Sequence, residues 1–182
     1  DNAPGEQRGE LRRLETTLAE YDFPTFVLPG EAETTASDRS NFRAVFGPYD
    51  YSFEFEGIRF LVVYSAGGIV GSKRIFQLEN SLERFANQTP TLVVTHTPPI
   101  DPLGARNDGF LSEIEAARAL SVMAEHGADI LLAGHVNDTH HVDIHDVNMR
   151  VTSAAEHGRE ALLLTAPHDP DSPEALEVET LS

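Results

Sequence analysis

Hydrophobic and polar positions along this chain follow two periods, one typical of helices and one typical of strands. Apolar residues recur at helical spacing, as Leu11, Leu14 and Leu18 do, and such faces predict amphipathic helices. In the last helical stretch, the predicted apolar face consists of Leu111, Ile114, Ala117, Leu120 and Met123. The predicted helices cover residues 10–21, 37–46, 78–85 and 111–123.

Strand patterns occur between and after these helices. Residues 51–55 alternate apolar and polar side chains, Glu56 and Gly57 form a turn signal, and residues 58–64 return, which predicts a hairpin. Short, wholly apolar strands are predicted at 25–28, 91–95 and 129–133, and a β-rich tail at 141–144, 148–153, 161–165 and 176–181. The alternation of helices and apolar strands indicates an α/β sheet covered on both faces, and the β-rich tail indicates that this sheet packs on a second one.

Length and charge restrict the class of protein. The 182 residues predict a single domain, and 13 basic against 30 acidic residues give a net charge of −17. A surface this acidic repels phosphate backbones, so we expect no nucleic-acid partner. No apolar run reaches the roughly 20 residues of a membrane helix, so we expect no membrane partner either. The absence of cysteine excludes disulfides and thiolate chemistry.

The types of charged residue indicate the salt conditions to which the protein is adapted. Lys73 is the only lysine, so twelve of the thirteen basic residues are arginines. Many carboxylates with almost no lysine indicate a halophilic origin, since high salt screens the self-repulsion. The chain starts at Asp1, with nothing nearby that resembles a signal peptide, and we expect a cytoplasmic location.

Candidate metal ligands follow three of the apolar strands. Glu31 comes after the strand at 25–28, His96 after 91–95, and both His135 and Asn137 after 129–133. Ligands bind beyond the carboxyl ends of parallel strands, so we expect Glu31, His96 and His135 to meet at one edge of the sheet. Imidazoles and carboxylates suit zinc, manganese or iron, which predicts a divalent metal site there.

Several motifs, in order, resemble the calcineurin-like metallophosphoesterases. Leu28-Pro-Gly-Glu-Ala-Glu33 is similar to that family's Gly-Asn-His-Asp/Glu motif. Thr95-His96-Thr-Pro-Pro99 and Gly134-His135-Val136-Asn137 continue the family order. The segments Phe46-Gly-Pro-Tyr-Asp-Tyr-Ser-Phe-Glu-Phe and Gly57-Ile-Arg-Phe-Leu-Val-Val are similar to its purple-acid-phosphatase and cyclic-nucleotide-phosphodiesterase branches.

The resemblance implies a calcineurin-like four-layer α/β sandwich, in which two mixed β-sheets are flanked by helices, and a set of metal ligands. Asp1 stands where the family has the aspartate of its Gly-Asp motif, and the family's first β-α unit is expected to be lacking. One metal would be held by Asp1, Glu31, His96 and His135, whereas Asn137 occupies a histidine ligand position of the other metal. We therefore expect one divalent ion at most, or none.

The departures from the family pattern bear on activity. Ala32 stands where the family has the histidine that assists the leaving group, and no catalytic residue is assigned here. The resemblance implies hydrolysis of a small phosphomonoester or phosphodiester, which we expect to be weak or lost. The alternative is a non-catalytic binding or interaction module that keeps the same fold. The sequence supports no expectation for the oligomeric state.

Overall fold

The chain folds into a mixed α/β structure. The computed structural model describes residues 4–34, 39–86, 89–104, 108–153, 161–165 and 176–181. Within these residues the helices are α1 (Pro4–Leu18), α2 (Arg39–Val45), α3 (Ser72–Phe85) and α4 (Glu113–Glu125). The strands are β1 (Tyr51–Phe55), β2 (Ile58–Val62), β3 (Thr91–Val94), β4 (Ile130–Ala133), β5 (His140–Ile144), β6 (Val147–Val151), β7 (Ala161–Thr165) and β8 (Glu177–Leu181).

Two sheets organise the described residues. The larger has the order β1-β2-β3-β4-β6-β5, in which β2, β3, β4 and β6 run parallel and the hairpin partners β1 and β5 are antiparallel edges. Strands β7 and β8 form a separate antiparallel pair. The α/β prediction with two sheets is thus confirmed, although the described part of the second sheet is antiparallel instead of mixed.

The core lies on both faces of the larger sheet because successive strand residues point to opposite sides. On one face, Val93, Leu131 and Met149 are fully buried against the apolar sides of α3 and α4. On the other face, Leu92 and Ile130 are buried in a smaller cluster that includes residues of β7 and β8. Central strands covered on both sides explain why β3 and β4 read as continuous apolar runs.

The hairpin between β1 and β2 has the predicted turn. Glu56 and Gly57 have φ of 48° and 77°, the two left-handed positions that a two-residue hairpin loop requires. Glycine adopts this region without the Cβ penalty that other residues incur. The alternating pattern of 51–55 therefore forms β1 with the predicted bounds.

The strand predicted at 25–28 is wrong. These residues form no strand, although the Tyr51 hydroxyl donates a hydrogen bond to the Val27 carbonyl at 2.8 Å and the Phe26 ring stacks on Phe53. Apolar character predicted a strand, but a strand also needs a neighbouring backbone to complete its ladder. Pro24 and Pro29 flank the segment and offer no N–H to such a ladder.

Two helical faces also differ from prediction. Ser112 caps α4 by accepting the Glu115 N–H, so Leu111 precedes the helix and is 72% exposed. Ile114 is 81% exposed and Ala117 is exposed, whereas Leu120 and Met123 are buried as predicted. The face that packs on the sheet consists of Ala116, Ala119, Leu120, Val122 and Met123. Two sets of apolar residues at helical spacing could each form the buried face of α4, and only packing against the sheet selects between them.

The first helix begins earlier than predicted, at Pro4, since proline is favourable in a helix's first turn. Of its predicted apolar face, Leu11 is buried, whereas Leu14 is 43% exposed and Tyr21 lies beyond the helix. Across the described ranges, none of the helices combines the length and apolar character needed to cross a bilayer.

Candidate metal centre

Two adjacent parallel strands deliver the two histidines to one edge of the larger sheet. His96 lies two residues after β3 and His135 lies two residues after β4. The loops are tied together because Gly134 N–H donates to the His96 carbonyl at 2.9 Å, and Thr95 N–H donates to the Leu132 carbonyl at 2.9 Å. These backbone hydrogen bonds fix the positions of the two loops that carry the imidazoles of His96 and His135.

His135 occupies a strained backbone conformation. Its φ is +70°, and Val136 N–H donates to the Gly134 carbonyl at 2.8 Å, which closes a three-residue turn around it. A γ-turn with positive φ at its centre is the rare and strained kind. Such strain persists where the surrounding structure enforces it, which is common at functional sites. Asn137 has φ of +59° as well.

Glu31 reaches the site from the loop before the 3₁₀ turn Ala32–Thr34. The Glu33 carboxylate accepts the Gly30 N–H at 3.0 Å, and the Thr34 hydroxyl donates to the Gly30 carbonyl at 3.1 Å. A Cβ at Gly30 would stand 3.1 Å from Cε1 of His96, closer than ordinary contacts allow. The absence of a side chain at Gly30 therefore lets this loop press against the His96 ring.

Three ligand-type side chains converge at this point. The ligand atoms of Glu31, His96 and His135 all lie within 4.8 Å of one another. The Glu31 carboxylate is 3.6 Å from Nδ1 of His135, and the ring centroids of His96 and His135 are 5.1 Å apart, edge to face. Glu31 is exposed while both histidines are partly buried, so the cluster opens to solvent on its acidic side.

The protonation state of His96 suits a ligand. Burial lowers the pKa of the His96 imidazole below its usual range, and the neighbouring His135 lowers it further. The carboxylates of Glu31 and Glu33 oppose this and raise the same pKa in part. Burial dominates, so His96 is neutral near pH 7 and has a nitrogen lone pair available.

The donor set fits a borderline divalent cation. Ligands about 2 Å from one zinc-like ion lie about 3 to 4 Å from each other, and the 3.6 Å between Glu31 and His135 falls in that range. Two imidazoles and a carboxylate are donors that zinc, manganese and iron accept. The residues that are present therefore fit one such ion.

The predicted site residues separate into three groups. Glu31, His96 and His135 come together as expected, although no strand leads to Glu31. Asn137 is exposed two residues beyond His135, and its role as a ligand stays a prediction. Asp1 lies outside the described residues.

Sequence reasoning missed the role of Glu33. Its carboxylate holds the Gly30 N–H and contributes to the potential at His96. The available signal was an acidic residue three positions after Gly30, the spacing at which a side chain reaches back to an earlier backbone N–H in a capping box.

A cavity of about 350 Å³ adjoins the centre on the β7 side. Leu28, Leu132 and Leu162 contribute to a mostly apolar lining, of which His96 is also a part. Thr95 also lines it and has a buried hydroxyl oxygen without a hydrogen-bond partner among the described residues. No arginine or lysine of the described residues lines this cavity, so its walls offer no fixed cation to an anionic group.

Comparisons with known proteins do not assign this chain to a family. No protein-family model and no curated protein matches the sequence. One similar solved structure is GAP50, the anchor in the inner membrane complex of Plasmodium, at 16% identity and a TM-score of 0.46. The match covers 60% of this chain and 38% of the GAP50 chain. A likeness at that level assigns neither fold family nor function.

Proposed function

We propose that this chain is a divergent relative of the calcineurin-like metallophosphoesterases that binds one divalent metal ion through Glu31, His96 and His135. The observation that carries the proposal is the convergence of these three side chains from distant parts of the chain. The six-stranded mixed sheet, with a second sheet against one face and helices against the other, is consistent with the four-layer sandwich that the motifs imply.

The side chains of this protein would bind the metal ion and hold in place the loop that carries one of its ligands. His96, which is neutral, and His135 would supply nitrogen ligands. Glu31 would supply a carboxylate oxygen, and Glu33 fixes the loop that carries Glu31. A divalent cation held there supplies Lewis acidity, which activates water and neutralises charge developing on a phosphoryl oxygen. Since the described walls of the adjoining cavity contain no arginine or lysine, the proposed site has little other means of neutralising a phosphate.

We propose that hydrolysis is weak. The methyl group of Ala32 cannot donate a proton to a leaving group, a role the family assigns to histidine. Asn137 replaces a histidine, and one ion cannot clamp both the attacking and the leaving oxygen as two ions do. These same residues favour the second candidate function, a metal-binding module without catalysis.

Metal binding is tested first, and separately from activity. Manganese or zinc at about 100 times its dissociation constant should stabilise the fold by roughly 2.7 kcal/mol. That energy corresponds to a rise in melting temperature of roughly 5 to 10 °C for a chain of this size. His96→Ala should abolish the rise, whereas His141→Ala, an exposed histidine of β5, should retain it. Equal shifts in both variants would contradict the metal site.

Activity then separates the two candidate functions. Slow hydrolysis of bis(p-nitrophenyl) phosphate with manganese, lost in His96→Ala and kept in His141→Ala, supports the enzyme. Metal-dependent stabilisation without any turnover supports the non-catalytic module. A fully active enzyme with two metals per chain would show that the roles of Ala32 and Asn137 have been misjudged.

A further inference from the structure

Another cavity, of about 490 Å³, lies between the end of α1, the loop that follows it, the end of α2 and the start of β1. This volume is typical of a site for a small molecule. Five aromatic side chains line the cavity: Tyr21, Phe23, Phe26, Phe46 and Tyr51. Among the described residues that line it, none is a candidate metal ligand, so the role of this aromatic pocket does not depend on the proposed function.

Two of the rings are fixed by contacts inside the protein. The Tyr51 hydroxyl donates to the Val27 carbonyl at 2.8 Å, which satisfies its polar end and holds the ring against the loop. The Phe26 ring stacks on Phe53 with centroids 3.5 Å apart, so one of its faces is covered. Phe26 is nevertheless 46% exposed and lines the pocket, so its other face remains accessible to a ligand.

Two further rings are largely exposed. Tyr21 and Phe23 stack on each other with centroids 5.1 Å apart, yet they are 53% and 62% exposed. Exposed apolar side chains that are scattered singly need no explanation, whereas contiguous ones that border a cavity are typical of a binding site. Tyr21, Phe23 and Phe26 are of the second kind, since all three line the same pocket.

The charge at the pocket is negative. Among the described residues that line it, Glu15 alone is charged at pH 7. Its carboxylate is exposed and forms no ion pair within the described part of the chain. A ligand therefore meets a carboxylate that no internal cation neutralises. The net charge of −17 on the whole chain adds a field that concentrates cations near its surface.

Arginines cover the faces of other aromatic rings in this protein. Arg59 lies over the Phe85 ring at 3.4 Å, and Arg74 lies over the Tyr64 ring at 4.8 Å. Within the described ranges, no such contact involves a ring of the aromatic pocket. The negative faces of the pocket's rings therefore have no internal cation, and they can attract one from solution.

The lining selects a particular kind of cation. A primary ammonium is strongly hydrated, and ring faces replace its hydrogen bonds with water poorly. A quaternary ammonium has no N–H group to satisfy, and its methyl groups pack against apolar side chains while its charge interacts with the rings. We propose that the aromatic pocket binds a small, free quaternary ammonium cation, with the Glu15 carboxylate as its counter-charge.

Choline and its neutral isostere 3,3-dimethyl-1-butanol test the proposal, since the two molecules have the same shape and differ in charge. Proton NMR titrations follow the methyl signal of each probe, and choline chloride replaces sodium chloride so that the ionic strength stays constant. Choline should bind with a dissociation constant on the order of 1 mM, and its methyl signal should move upfield, as protons above ring faces do. The isostere should bind about fivefold more weakly. Equal binding of the two probes, or no saturable binding of choline, overturns the proposal.

Matched variants locate the binding. Phe23→Leu keeps an apolar side chain at an exposed position but removes the ring face, so choline should bind about two- to fivefold more weakly and the isostere should be unaffected. Glu15→Gln keeps the shape and removes the charge, which should weaken choline binding by up to about fivefold. Phe76→Leu on α3 and Glu125→Gln on α4 alter an exposed ring and an exposed carboxylate elsewhere, and both variants should bind choline like wild type.

Two results with these variants and with a peptide probe would also overturn the proposal. Equal losses in the pocket variants and in the control variants would show that choline is attracted to the acidic surface in general. Tighter binding of a trimethyllysine peptide than of choline would show that the cation belongs to a modified protein chain instead of a free molecule.

Discussion

Replacing His135 by glycine and by alanine separates the cost of its backbone conformation from the loss of its imidazole. Both variants remove the ring, so the lost side-chain contacts cancel in the comparison. Alanine in the left-handed region costs about 1 to 2 kcal/mol, and His135 has φ of +70°. Glycine avoids this cost but gives the unfolded chain about 0.4 to 1 kcal/mol more conformational freedom to lose. His135→Gly should therefore be more stable than His135→Ala by about 0.5 to 1 kcal/mol.

Urea unfolding of the metal-free variants measures this difference. His141 lies within strand β5, where glycine is expected to be less stable than alanine by about 0.5 to 1 kcal/mol. The order of the glycine and alanine variants should therefore reverse between positions 135 and 141. Neither variant of His135 should gain stability from manganese or zinc. If His135→Ala is as stable as His135→Gly, the strained turn is not present in solution and the reasoning about the site fails.

Three further predictions concern packing, pH and salt. Met123→Ala should destabilise the fold by about 2 to 5 kcal/mol in urea unfolding. Ile114→Ala, at a position 81% exposed, should change the free energy of unfolding by less than about 0.5 kcal/mol. Equal costs of the two substitutions would contradict the observed buried face of α4. Because burial lowers the pKa of His96, the unfolded chain binds that proton more readily, so metal-free stability should fall as pH drops below about 6.5. His96→Gln should flatten that decline, and an unchanged slope would count against a buried, neutral His96. The net charge of −17 should make the melting temperature rise with KCl, and a midpoint independent of salt would exclude self-repulsion as a determinant of stability.

Local sequence patterns were enough to predict much of the fold. The hairpin of β1 and β2 follows from alternation and a two-residue turn, both of which involve only neighbouring residues. Strands β3 and β4 follow from their continuous apolar runs, because burial on both faces leaves no polar side. These elements depend little on what the rest of the chain does.

Elements that depend on contacts with distant segments of the chain could not be predicted from local sequence patterns. Residues 25–28 are as apolar as β3, yet they form no strand, since a ladder requires a second backbone at the right place. The apolar face of α4 was ambiguous because Ile114 and Ala116 begin two different helical rows, and contact with the sheet selects the row of Ala116.

The candidate metal centre shows the same division. Sequence by itself determined which residues could be ligands, because Glu31, His96 and His135 follow apolar segments and carry suitable donor atoms. Only the tertiary structure decided that their ligand atoms lie within 4.8 Å of one another, that His135 is held in a strained turn, and that Glu33 supports Gly30 close to the His96 ring. The physical reason is that donor chemistry belongs to single side chains, whereas distance, burial and strain arise from parallel strands that bring remote segments to one edge of a sheet.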